Sequence, residues 1–258
     1  MANNIQVKVM DKVLHVVLNR PEKKNALTQE MYIGLANAIK SGEENSNVKV
    51  ILIYGNGDSF CAGNDVKEFQ ESDSRIDSEN SPSIMYIKQL MKAQKPIIAA
   101  VKGYVIGGGF TMLLHYDLVY AAKDTKFQLP FVKLALTPEF GSSFNLPFLV
   151  GRHRAAEILY FGDFITAEEA CKMGIVNEVF EKDELMNKVL DKVRQLTEKP
   201  LVALKNIKNL LKKYPNSILE KTIPGEMDVF FERMKSPEAQ EAFNAYFEKR
   251  KPDFSKFE

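Results

Sequence analysis

Two apolar runs, residues 48–54 and 96–101, constrain this 258-residue chain more than any other feature. Each has the pattern of a strand buried on both faces, which belongs in a sheet covered by helices on either side. The neighbouring stretches have the matching period. Thr28 with Met31, Leu35 and Ile39 behind it predicts a capped amphipathic helix, and residues 84–93 predict another. Residues 118–121 read as a further strand. Strands alternating with helices of this length predict βαβ units, right-handed crossovers and an α/β fold. Ahead of them, Ile5, Val7 and Val9 alternate with polar residues, and 13–18 follows across a turn at Asp11-Lys12, an antiparallel opening.

Residues 70–83 are rich in Ser, Asp, Glu and Asn without a period and predict a surface loop. Helical periodicity returns over 153–161, 167–173 and 182–197, and no strand signal remains after Pro200. There Leu201, Leu204, Ile207 and Leu211 form an apolar stripe, and Ser236-Pro237-Glu238 starts a last helix with Ser as cap. The expected organisation is a core over residues 1–200 that carries the site, and a helical region over 201–258.

Charge and cysteine exclude several functions. Thirty-five Lys and Arg against 34 Asp and Glu leave a net charge of +1, which removes the simplest electrostatic argument for a nucleic-acid or membrane partner. Cys61 and Cys171 are far apart with no ligand-spaced His, so neither a disulfide framework nor a zinc site is expected. No apolar run approaches the ~20 residues of a membrane span. With neither a signal pattern nor a peroxisomal ending, a cytoplasmic protein with reduced cysteines is expected. The phosphate-binding glycine motifs, H-E-x-x-H and G-x-S-x-G are absent, and His15, His115 and His153 stand isolated.

Three segments carry candidate chemistry, each with a plain alternative. Ser59 to Asp65 and Val105 to Gly109 follow buried strands and bring small residues to places where a backbone can approach a ligand; both also read as tight turns. The second precedes a helix, whose free N–H groups suit a developing anion. In Thr137-Pro138-Glu139, Thr reads as a helix cap with Pro in the first turn and Glu complementing the dipole. Yet Glu139 stands among Phe127, Leu129, Phe131, Phe140 and Phe144, surroundings that raise a carboxyl pKa and suit a general base.

Together these segments resemble the crotonase (enoyl-CoA hydratase/isomerase) superfamily. The resemblance spans nearly the whole chain: Asn19-Arg20-Pro21, Asn25-Ala26-Leu27, Phe60-Cys61-Ala62-Gly63-Asn64-Asp65, Gly103 to Gly109, Asp117, and Phe247 to Phe254. It implies a ββα spiral core, a helical C-terminal region used in assembly of a homotrimer or a dimer of trimers, and an acyl-CoA thioester substrate. No metal or separate cofactor is implied, since coenzyme A belongs to the substrate. It implies an oxyanion hole of two main-chain N–H groups, placed by motif position at Ala62 and Gly108. Ala26, Leu27, Asp65 and Phe131 are implied at the substrate site, and Lys24 and Lys67 as partners for CoA phosphates. Lys205, Lys208, Lys212 and the Lys249-Arg250-Lys251 cluster are further basic candidates that also read as solvated faces.

The acid positions separate the chemistries. Family hydratases carry one glutamate just after the Gly-Gly-Gly motif and another in a Gln-Pro-Glu-like segment; here Thr111 and Phe131 stand there. Glu139 matches the acidic position of monofunctional Δ3,Δ2-enoyl-CoA isomerases, although Phe140 replaces their usual glycine. The resemblance therefore implies an isomerase with Glu139 as its single base. Hydratase or dienoyl-CoA isomerase action, and a non-catalytic acyl-CoA binder, are the alternatives.

Overall fold

The computed structural model describes residues 4–71 and 81–257. The chain opens as an antiparallel pair, β1 (Ile5–Met10) and β2 (Val13–Leu18), turned by Asp11 and Lys12, both left-handed. α1 (Gln29–Glu44) follows, capped by the Thr28 hydroxyl accepting the Met31 N–H. β3 (Val50–Gly55), α2 (Val66–Glu71), α3 (Pro82–Lys92) and β4 (Ile97–Val101) come next. A short strand β5 (Tyr104–Ile106) leads into the single turn α4 (Gly108–Thr111), then β6 (Leu118–Ala122) and β7 (Lys126–Gln128). The remainder is α5 (Ser142–Val150), α6 (Arg152–Phe161), β8 (Ile165–Thr166), α7 (Ala167–Lys172), β9 (Glu178–Phe180), α8 (Leu185–Thr197), α9 (Leu201–Met234) and α10 (Pro237–Phe247).

The main sheet has the order β1-β2-β3-β4-β6-β9, parallel from β2 onward, and β5-β7-β8 form a second, smaller sheet. β2 and β4 are buried at every position, as strands covered on both faces must be. α1 and α3 lie on one face with the larger core, while α8 closes the other through Leu185, Val189 and Val193. This is the expected α/β spiral with a helical C-terminal region.

Several expectations are corrected. β1 buries only Ile5; Val7 and Val9 are exposed, because β1 is an edge strand that α1 covers only at its start. The loop expected over 70–83 begins later, since α2 runs to Glu71, and ends at Ser81, whose hydroxyl caps α3; residues 72–80 lie outside the described residues. In α9 the expected stripe is not the buried one: Ile207 and Leu211 are exposed, and the inward ridge is Lys208, Leu219, Ile223, Met227 and Phe230. Lys208 can face inward because the Lys95 carbonyl and the Asp117 carboxylate meet its ammonium. Among the described residues no helix is long and apolar enough to cross a membrane.

Candidate active site

Three loops meet at the ends of the central strands. The loop after β3 pairs with β5: Cys61 N–H donates to the Tyr104 carbonyl at 2.9 Å, and Ile106 N–H to the Cys61 carbonyl at 3.0 Å. Gly63 makes the approach feasible. Its φ is +93°, and a Cβ there would stand 3.0 Å from the Ile106 carbonyl oxygen. Leu27 fixes the same loop from its other side, donating to Gly63 O at 2.7 Å and accepting from Asp65 N at 2.8 Å.

This pairing decides which amides are free. Motif position points to Ala62, but its N–H donates to the Lys24 carbonyl at 2.9 Å and is committed to the fold. The alternative lies two residues further on. Among the described residues, the Asn64 N–H makes no hydrogen bond, and neither does that of Gly108, the first residue of α4. Gly108 lies at the point of convergence. A Cβ built there stands 2.9 Å from the Tyr32 hydroxyl, 3.2 Å from Asn64 Oδ1 and 3.3 Å from Glu139 Oε1. Tyr32 donates to Asn64 Oδ1 at 2.6 Å, so the two side chains hold one another.

Glu139 enters from the third loop and is 5% exposed. The expected helix does not begin at Thr137; α5 starts at Ser142. The physical reason is the backbone of Phe140 and Gly141, with φ of +62° and +69°, which no helix can include. Glu139 thus sits in a left-handed turn rather than in a helix's first turn, and the acidifying effect of a helix end is withdrawn from it. Burial pushes its pKa up to about 8; the Glu226 charge adds to the rise, and Thr111 opposes it. Its Oε1 has no hydrogen-bond partner in the protein. It lines a cavity of about 400 Å³, together with Lys24, Ala62, Asn64, Gly108 and Phe131.

Other expected residues stand apart. Ala26 and Leu27 do not line this cavity, and Leu27 supports the loop from behind. Asp65 is structural: it pairs with Arg20 at 2.7 Å and caps α2 by accepting from Lys67 N. Lys67 is exposed on α2 and does not line the cavity. Lys208 and Lys212 are no solvated face: Lys212 donates to the Leu90 carbonyl, and burial lowers its pKa to about 7. Arg250 is taken by Glu241 and Glu248. Cys61 is buried, its thiol pushed up to about 12, and is no nucleophile. The free Asn64 N–H, the Tyr32 hydroxyl on Asn64 Oδ1 and Glu226 beside Glu139 are not among the residues expected from the sequence. Asn64 lies within the motif at residues 60–65, whereas nothing local marks Tyr32 or Glu226.

A buried carboxyl of raised pKa facing free main-chain N–H groups is suited to removing a proton next to a carbonyl while the oxygen gains charge.

The comparisons agree in family. The Enoyl-CoA hydratase/isomerase family matches residues 8–256. The chain is 31% identical over 253 residues to a crotonyl-CoA hydratase of Syntrophomonas wolfei, covering 97% of each. It is 30% identical over 237 residues to human enoyl-CoA delta isomerase 2, covering 90% of this chain and 60% of that protein. An enoyl-CoA hydratase/isomerase crystal structure from Pseudoalteromonas atlantica superposes with a TM-score of 0.91 at 35% identity, covering 97% of this chain and 99% of that one.

Proposed function

Because this chain belongs to the enoyl-CoA hydratase/isomerase family, we propose that it moves the double bond of a 3-enoyl-CoA into conjugation at C2 by proton transfer through one residue. The observation that carries this reading is a solitary carboxyl. Among the described residues lining the cavity Glu139 is the only acid, and the two positions where family hydratases hold glutamates are Thr111 and Phe131. Hydration needs one group to activate water and a second to manage the α-carbon proton; a 1,3-proton shift needs one.

The thioester oxygen lies between the N–H groups of Asn64 and Gly108. The Glu139 carboxylate takes a proton from C2, and the C–H electron pair spreads over a dienolate whose charge rests largely on that oxygen. The same carboxylic acid returns the proton at C4, so the trans-2-enoyl-CoA leaves with the atoms it brought. Each N–H donor contributes about 3 kcal/mol to lowering the barrier. Phe131, Leu134, Leu136 and Phe230 line the chamber and disfavour water at the dienolate.

The CoA moiety extends past Lys24, which stands 4.5 Å over the Tyr104 ring, into an adjoining polar cleft with Lys126 and Lys182. Exposed Val202, Leu210, Leu211 and Tyr214 on α9, with Phe148 and Phe161, support self-association as a trimer or dimer of trimers.

The test offers the purified protein 3-enoyl-CoA and 2-enoyl-CoA separately. Conversion of the first to conjugated product, with a fall of about 10²-fold or more in Glu139→Gln, is the expected result. Hydration of the second outpacing isomerisation, or full turnover in Glu139→Gln, overturns the reading.

A further inference from the structure

We infer that Glu226, on the C-terminal helix α9, is a positioning residue for Glu139: it fixes the turn that carries this residue and keeps a negative charge beside it. The kinetic half of the inference rests on the isomerase reading above.

The geometry is specific. Glu226 Oε2 accepts the Gly141 N–H at 2.6 Å, and Oε1 accepts the Ser143 N–H at 2.7 Å. These N–H groups belong to the left-handed turn and to the start of α5, donors of the kind that attract and acidify a carboxylate. Glu226 takes both of these donors, and Glu139 Oε1 has no partner in the protein. α9 also presses on the turn through Leu219 and Ile223, which a side chain at Gly141 would strike. His115 holds the other side of the turn through the Phe140 carbonyl.

The groups around Glu139 come from four elements: Tyr32 on α1, Asn64 after β3, Thr111 on α4 and Glu226 on α9. Tyr32 stays protonated, since burial and the Glu139 charge both push its pKa up. Around Glu226, burial favours its neutral form, while the Ser143 hydroxyl and the two N–H groups favour the carboxylate. Among the described residues no lysine or arginine shifts either acid. A carboxylate at position 226 therefore disfavours a second one at 139, and the base is held basic from the far end of the chain.

The experiment compares wild type, Glu226→Gln, Glu226→Ala and Glu226→Asp, with Glu220→Gln on the same helix as control, each checked for folding by circular dichroism. The acid limb of kcat/KM is measured with 3-enoyl-CoA. Independently, the Glu139 carboxyl is titrated by 13C NMR in glutamate-labelled protein without substrate, its resonance assigned from Glu139→Gln. Both neutral variants are expected to move limb and titration to lower pH by about half a unit or more. Glu226→Asp and Glu220→Gln are expected to leave them in place. Folded neutral variants that lose kcat without any such shift give Glu226 a structural role only and overturn the inference. If wild type shows no isomerase turnover, the functional reading falls, and the NMR titration still decides the role of Glu226.

Discussion

The imidazole of His115 donates its Nε2–H to the main-chain carbonyl of Phe140 at 2.6 Å, fully inside the protein. Phe140 has a φ of +62°, where isomerases of the resembled subgroup place glycine, and a non-glycine residue there costs about 1–2 kcal/mol. The fold retains the phenylalanine because its ring is 1% exposed and packs on Tyr32 at 5.9 Å. His115 and Glu226 hold the strained turn from its two sides.

His115→Leu removes that donor and leaves a buried carbonyl unpaired, which costs about 1–3 kcal/mol. The pH dependence identifies the effect. Burial lowers the His115 pKa from 6.5 to about 4, so between those values the unfolded chain binds a proton that the native protein refuses. The wild-type protein therefore loses up to ~1.4 kcal/mol per pH unit as pH falls through this window. Urea melts at several pH values should show this slope reduced in His115→Leu; an unchanged slope contradicts the assignment.

Glu139 has the opposite linkage. Its folded pKa is raised from 4.5 to about 8, so from 4.5 upward the unfolded chain releases a proton that the native protein retains, and stability falls as pH rises. Glu139→Gln should therefore be more stable than wild type at pH 7, by about 1–3 kcal/mol, while being far less active. Wild-type kcat/KM should climb through pH 7 and level off above about 8. A limb near the ordinary carboxylate value, or a destabilised Glu139→Gln, would show that the carboxyl is not held as described.

Gly108→Ala tests the convergence point. The new methyl meets the Tyr32 hydroxyl at 2.9 Å, Asn64 Oδ1 at 3.2 Å and Glu139 Oε1 at 3.3 Å, all side-chain ends that can shift. The fold should survive, with Tm little changed, while the base and one amide are displaced from the substrate. A loss of ~10²-fold in kcat is expected, on the scale of losing one oxyanion donor. Retention of kcat would place the reacting carbonyl elsewhere.

How far the sequence reached depends on whether an interaction is local. The buried strands and the Thr28 and Ser236 caps depend on neighbouring residues, and patterning exposes strands and caps of that kind. Glu139 was readable because its apolar neighbours lie close in the chain. The Ala62 N–H is engaged by the Lys24 carbonyl, a pairing that sets its direction and that no motif encodes. Glu226 is 87 positions from Glu139, and the two meet only through helix packing. The α9 lysines misled for the same reason, since a basic stripe at helical spacing looks solvated until the carbonyls facing it are known.

Lys208 makes that last point measurable. Its ammonium donates to the Lys95 carbonyl at 2.7 Å and to Asp117 Oδ2 at 2.6 Å, and the residue is 4% exposed. Asp117 also accepts the Ile97 N–H at 2.7 Å, so one lysine ties α9 to the start of β4. Lys208→Met removes the cation and leaves Asp117 half-compensated, which should cost about 3 kcal/mol, a fall in Tm of roughly 10 °C for a chain of this size. If the residue instead met a CoA phosphate, Tm would hold and KM would rise. The structure predicts the reverse: a lower Tm with KM for the acyl-CoA unchanged below it.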